Sequence, residues 1–211
     1  MEILVSNDEH LWSAVPHYSA DITAGGLKLR ESRIIAGLLL QSLDREFWRE
    51  NIEDNNVLQA RSIGTAIRVA RLVRKRLETV QPELWSIIRD GDNTVASHAV
   101  FAAAVKQSRL LADFLFHVVR HEYRTFGKLL DHRLWDAYLV GCRERDPHMP
   151  KWNDNTCIRL RSSVYQMLAQ AGYLENTKSL KLQTVHLAQP VFRYFEANHE
   201  DVLLQYLQVS S

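Results

Sequence analysis

"ARSIGTAIRVARLVRKRLE", residues 60–78, carries six Lys/Arg and no acidic side chain before Glu78. At about 100° per residue, Ile63, Ala66, Ile67, Ala70, Val73, Leu77 and Val80 fall within one broad arc of the helical wheel. Arg61, Arg68, Arg71 and Lys75 fall nearly opposite, with Arg74 and Arg76 beside them. The spacing predicts a helix that buries one apolar stripe, presents one basic stripe and ends before Pro82. Ser62 and Thr65 stand at its start as capping or backbone-contacting hydroxyls. Ordinary solvated helix faces mix signs to gain i,i+4 pairs, so six like charges need a reason. Two readings follow: a surface for a polyanion, or a solvated face paired within the molecule.

The charge is local. Over 211 residues the formal net charge is only +1. Residues 1–56 hold five Lys/Arg against ten Asp/Glu, and residues 57–77 hold six against none. Residues 151–185 are the second basic segment, with five against two. Such asymmetry bears on partners more than the total does. A composition 46% hydrophobic and 24% charged describes a globular chain that needs no disulfide or metal staple. The two cysteines, Cys142 and Cys157, lack CxxC spacing and suggest free thiols in a reducing compartment. The N-terminus has three acids and no basic n-region, unlike a signal peptide. The longest uncharged, mainly apolar run, residues 93–105, falls well short of the ~20 residues a bilayer span requires. A cytoplasmic protein without membrane insertion is expected.

Around the basic helix the pattern is mainly α. Residues 1–17 read as an N-terminal extension, and the Gly25-Gly26 pair as a turn. Ile34, Ile35, Leu38, Leu39 and Leu43 mark one helix, "DREFWREN" a short second, and "IEDNN" a polar break. "PELWSIIRDG" opens on a proline and stops at Gly91. Residues 94–121 read as one or two core helices, followed by "HRLWDAYLVGCRER" and a proline-forced connection.

The last third differs. "NDNTCIRLRSSVYQMLAQAGYL" begins with capping residues Asn153 and Asp154 and ends with Gly172 at a left-handed cap position. Leu180-Lys181-Leu182-Gln183 alternates after the polar tip "ENTKS", which reads as a small β-hairpin. Helix, turn, strand, tip, strand is a winged-helix layout. The division expected is a helix-turn-helix-like module over 18–121 and a winged-helix-like module over 122–211. On the wheel of the last long helix, Asn155, Arg159, Ser162, Gln166 and Gln170 share one face, with Ser163 at its edge. Such side chains hold phosphates or read base edges, and Lys178 and Lys181 lie on the expected wing. Taken alone, that face is also an ordinary polar surface. Arg161 points to the apolar side and needs a carboxylate partner.

Other constellations are weaker. His117 and His121 stand at i,i+4, but no third ligand is specified, so no metal is expected. Phosphate loops, dinucleotide fingerprints and nucleophile elbows are absent, so neither enzyme activity nor a cofactor is expected. The tryptophans sit in apolar patterns and read as core anchors.

Seven phrases, "YSADITAGGLKLRESRIIAGLLL", "RLVRKRLETVQPELW", "AAAVKQSRLLADFL", "YRTF", "RLWDAY", "RDPHMPKW" and "LAQAGYLENTKSLKLQTVHL", occur in this order. Together, from about Tyr18 to Val209, the chain resembles the BrxA family of bacterial BREX phage-defence systems. The resemblance implies a small, mainly helical cytosolic protein with helix-turn-helix or winged-helix-like modules. It also implies DNA binding and a role beside a methyltransferase and other BREX components. It carries over no catalytic residues, so the candidate site rests on the helical wheels. Arg61, Ser62, Thr65, Arg68, Arg71, Arg74 and Lys75 on one helix, Arg159, Ser162, Ser163 and Gln166 on the other, and Lys178 and Lys181 are expected to contact double-stranded DNA. The rival expectations are an adaptor docking its basic helix on an acidic protein surface, and an RNA-binding helical module.

Overall fold

The computed structural model describes residues 17–23 and 25–209. The expected N-terminal extension lies outside them except for His17. The chain is mainly helical, and the helices pack around one Ala-rich rod.

That rod is α5 (Asn93–Gln107), whose residues Ala96 to Val105 are all buried. A helix apolar on every side belongs in a core, so the uncharged run too short for a bilayer is the molecule's centre. Among the described residues no helix is long and apolar enough to cross a membrane. Around α5 lie α1 (Leu29–Gln41), α3 (Ile63–Leu77), α4 (Pro82–Asp90), α10 (Gln189–Ala197) and α11 (Asp201–Leu207). α2 (Arg45–Arg49) does not stop at the expected polar break. It runs on through a π-helical turn, Glu50–Asp54, which buries Ile52. A second π turn, Leu115–Val119, joins α6 (Arg109–Phe114) to α7 (Arg120–Arg124).

α8 (His132–Arg145) and α9 (Asp154–Gln170) complete the chain's second half. The Phe114 ring packs against Trp135 and Tyr138 at 5.0 and 5.2 Å, edge-on, a favourable geometry that ties α6 to α8. Local signals act as the sequence implies. Ser62 Oγ accepts from the Thr65 amide at the start of α3, and Asn153 Oδ1 from Thr156 at the start of α9. Gly172 follows α9 with φ +84°, in the left-handed region where a side chain is strained.

The expected β-hairpin does not appear as paired strands among the described residues. Two isolated antiparallel bridges, Leu129↔Lys181 and Leu174↔Leu182, stand where strands were expected, and one involves a segment before α8. The Leu130 amide donates to Leu180 O, and Leu182 to Lys128 O. On the other side Gln183 donates to Tyr173 O and Glu175 to Lys181 O. The helices α10 and α11 were not anticipated. α10 opens with a proline in its first turn and buries Val191, Tyr194 and Phe195 against α4 and α5.

On either side of position 24, residues 17–23 and 25–28 form a half-buried strap that includes the expected turn at Gly25-Gly26. The Tyr18 amide donates to Asp146 Oδ2 at 3.0 Å, and the Tyr18 hydroxyl to Asp113 Oδ2 at 2.7 Å. Arg145 Nε donates to that same hydroxyl, and Ser108 Oγ to Asp21 Oδ1. Three successive strap amides are then received by three side chains of α9. Gly25 donates to Ser163 Oγ (3.1 Å), Gly26 to Gln166 Oε1 (3.1 Å) and Leu27 to Gln170 Oε1 (2.6 Å). A Cβ on Gly26 would meet Gln170 Oε1, so the Gln170 side chain would have to shift away from the Leu27 amide it holds.

Candidate nucleic-acid interface

The strap sets α3 beside α9. Their facing surfaces enclose a cleft of about 640 Å³ lined by Thr65, Arg68 and Val69 of α3 and Ile158, Arg159, Ser162, Ser163 and Gln166 of α9. Its remaining wall is the strap, with Thr23, Gly25 and Lys28. The two helices singled out by sequence therefore converge on one place. No carboxylate lines it. Lys28, Arg68 and Arg159 have no ion-pair partner among the described residues.

The remaining polar groups present hydrogen-bond donors. Gln166 spends its carbonyl on Gly26 and keeps an NH2. Ser162 is exposed. A cleft with three cations, hydroxyls and no acid favours an anion with several acceptor oxygens.

The expected site residues divide sharply. Arg61 and Ser62 are exposed at the start of α3, with Ser62 spent on the cap. Thr65 Oγ1 lies 3.0 Å from Ser62 Oγ while lining the cleft. Arg71, Arg74 and Lys75 turn to a different hollow, shared with Trp48, Glu53, Ile67 and Glu78. There Arg74 is taken: its Nε sits 2.6 Å from Glu78 Oε1, and its guanidinium lies 4.5 Å from the Trp48 ring centre. Arg71 has no ion-pair partner among the described residues. Lys75 has Asp21 as an electrostatic neighbour.

Ser163 is buried and holds the strap, so its hydroxyl is a structural anchor for Gly25. Gln166 shares that task through its carbonyl. Lys178 and Lys181 lie away from the cleft. Lys181 Nζ is 4.0 Å from Glu175 Oε2 and borders a groove with Phe126, Lys128 and Leu129. Arg161 finds its carboxylate in Asp136 of α8, at 3.5 Å.

Two expectations for α3 need correction. Ile63, assigned to the apolar stripe, is 55% exposed, because the helix has only begun there and no element covers its first turn. Arg76, placed beside the basic stripe, is fully buried. Its Nη1 donates to Leu27 O of the strap at 3.1 Å. Burial pushes its pKa down to about 10, partly opposed by Asp21, whose own carboxyl is pushed up by burial. The wheel puts Arg76 between the stripes, and a long side chain there can turn either way. Sequence reasoning also missed Lys28 and Thr23. The Gly25-Gly26 turn was visible, but nothing in it signals a strap laid against a distant helix. The left-handed φ of Lys28, +56°, carries no sequence signature either.

No group of three His, Cys, Asp or Glu among the described residues could hold a metal. Cys142 is buried and Cys157 half-buried, both as free thiols.

The fold and this cleft define a helical protein with basic side chains from two separate helices gathered around one anion-attracting groove. The chain belongs to the BrxA family, whose model matches residues 16–199. It is 50% identical over 197 residues to the BREX protein BrxA of Paramagnetospirillum magneticum, covering 93% of this chain and 99% of that one. The BREX protein BrxA of Escherichia coli is 33% identical over 167 residues, 79% of this chain and 78% of the relative. The crystal structure of an uncharacterized protein from Magnetospirillum magneticum superposes with a TM-score of 0.85 at 47% identity. The match covers 92% of this chain and all of that one.

Proposed function

We propose that this chain is a non-enzymatic, cytoplasmic, DNA-binding component of a BREX phage-defence system, contacting duplex DNA mainly through its phosphates. One observation carries the reading: Arg68 of α3 and Arg159 of α9, without carboxylate partners among the described residues, line one cleft that has no acid in its wall. Phosphate contacts supply affinity with little sequence information, so the binding is salt-dependent and weakly sequence-selective. The chain order supports a winged-helix role for the second half. α6–α7, the segment at 128–130, α8, α9, then two short segments flanking a polar turn follow one another, with 181–183 between the other two. On this reading α9 is the recognition helix and Lys178 sits on the wing. α3 takes the corresponding place in the helix-turn-helix-like module at 18–121.

The test is an anisotropy titration of a labelled duplex at two salt concentrations, with structured RNA of equal length as competitor. Affinity falling steeply with salt, with duplex DNA preferred, supports the reading. Salt-independent binding, or preference for the RNA, overturns it.

A second reading concerns other BREX proteins as partners. Phe126 is 90% exposed beside half-exposed Leu129, in a groove bordered by Lys128 and Lys181 and free of lining carboxylates. Its chemistry fits an extended acidic segment of a partner protein, adding to the edge at Leu129. Phe126→Ala that leaves DNA affinity intact but abolishes co-purification with a purified BREX protein supports this reading. Unchanged co-purification contradicts it.

A further inference from the structure

Six large apolar side chains stand exposed among the described residues, and two of them belong to the basic helices: Ile63 on α3 and Ile158 on α9. A lone exposed isoleucine means little by itself. Ile158 differs by position, because it is 49% exposed on the cleft wall, next in sequence to Arg159 and sharing the cleft with Val69 of α3. The cleft therefore has two chemistries. Lys28, Arg68 and Arg159 attract an anion, and Ile158 with Val69 offers an apolar surface within the same volume.

A duplex phosphate track needs only the first. Its bases are stacked inside, with only their edges open to the grooves. A nucleotide out of the stack presents one anionic end and one flat, poorly hydrated end, which matches both. Unpaired bases are held by such pairing of charge with apolar or flat surface, and proteins that unstack a base step commonly use Ile, Leu or Phe. The cleft's 640 Å³ lies within the roughly 300–1,000 Å³ typical of small-ligand sites. The Ser162 hydroxyl and the remaining NH2 of Gln166 are placed to reach polar base edges.

We propose that this cleft receives one unpaired nucleotide of a DNA strand. Its phosphate lies among Lys28, Arg68 and Arg159, and its base lies against Ile158 and Val69. The proposal rests on the DNA-binding reading and narrows it. DNA with a frayed or single-stranded end is the preferred ligand, and the blunt duplex binds by phosphates alone.

The experiment measures anisotropy of the full chain with three labelled probes at one salt concentration: a blunt duplex, the same duplex with a three-nucleotide 3′ overhang, and with a 5′ overhang. At least one overhang binds about fivefold or more tighter, the lower end of what one held base contributes. Ile158→Ala removes that gain and leaves the blunt duplex within about twofold, since the side chain is exposed and its loss costs little stability. Ile158→Phe keeps or enlarges the gain. A deoxynucleoside monophosphate at the probe's concentration does not displace the overhang probe; displacement would place the ligand as free nucleotide and overturn the strand assignment. Equal wild-type affinities for all three probes overturn the proposal, as does Ile158→Ala weakening blunt and overhang probes alike. The DNA-binding reading fails differently: the blunt duplex then does not bind even at low salt.

Discussion

The two ends of α3 carry the same kind of residue and use it in opposite ways. At the N-terminal end, Arg61 and Arg68 are exposed with no ion-pair partner among the described residues, and Arg68 enters the cleft. At the C-terminal end, Arg74 is spent on Glu78 and Trp48, and Arg76 is sealed under the strap on Leu27 O. A run of six cations is thus two populations, one presented and one structural. A positive charge becomes a binding group only where no acid or carbonyl of the protein reaches it first. The C-terminal cations also meet the helix's own carbonyl end, where positive charge is stabilising in any case.

The largest effect should separate the two populations by stability. Arg76→Ala leaves a void, strips the Leu27 carbonyl of one of its two donors, the other being Ser32 Oγ, and removes a cation facing Asp21. It is expected to cost about 3 kcal/mol in urea unfolding. Arg71→Ala stays within about 0.5 kcal/mol. Comparable losses for both would erase the distinction.

The next effect runs the other way. Arg68→Glu with Arg71→Glu should weaken duplex binding about a hundredfold near 0.1 M salt, with an unchanged far-UV CD spectrum. A double variant that binds as wild type breaks the assignment of the presented end.

Third comes the strap that brings the presented end to α9. Gly26→Ala drives a Cβ into Gln170 Oε1 and disturbs the Leu27 hydrogen bond, which should cost about 1.5 kcal/mol. Because the strap is also a cleft wall, DNA affinity should fall with it. Stability lost with affinity intact would show that the strap and the cleft are independent.

A smaller effect is expected with pH. His98 Nδ1 accepts from the Ala188 amide at 3.0 Å, which requires a neutral ring, and burial holds its pKa below the ordinary imidazole value. The unfolded chain then binds the extra proton first, so this stabilisation is complete above about pH 6.5 and is lost as pH falls through the folded value. His117, depressed by burial as well, acts in the same direction. Melting temperature should drop on acidification from pH 7 to 5, and His98→Gln should make that drop shallower. An equal slope in the variant contradicts the assignment to His98. The smallest effect is Arg74→Ala, expected to change DNA affinity by less than about twofold, because its charge is already neutralised by Glu78.

What could be read from the sequence, and what could not, follows the same line. Periodicity and caps located α3, α4 and α9, because Ser62, Pro82 and Asn153 act within a turn of their own position. The outward face of α3 was legible for Arg61, Arg68, Arg71 and Lys75. The exposure of Ile63 and the burial of Arg76 were not, since each depends on what a distant segment covers. Ser163 and Gln166 show the limit most clearly. Their residue types suit a base edge or a backbone amide equally, and only the strap's path decides that both receive glycine amides. The polar turn after Leu174 is legible from its composition, whereas the bridge from Lys181 to Leu129, before α8, is a tertiary event with no local mark.

On the proposed function, Arg68 and Arg159 act together on a DNA backbone. The most direct measurement of this is the slope of log affinity against log salt for a labelled duplex. Wild type is compared with Arg68→Ala, Arg159→Ala and the double variant. Each lost phosphate contact should flatten the slope by roughly 0.9, and the double variant by about twice that, while Arg74→Ala leaves it unchanged. A wild-type slope near zero, or a double variant with the wild-type slope, would contradict the account.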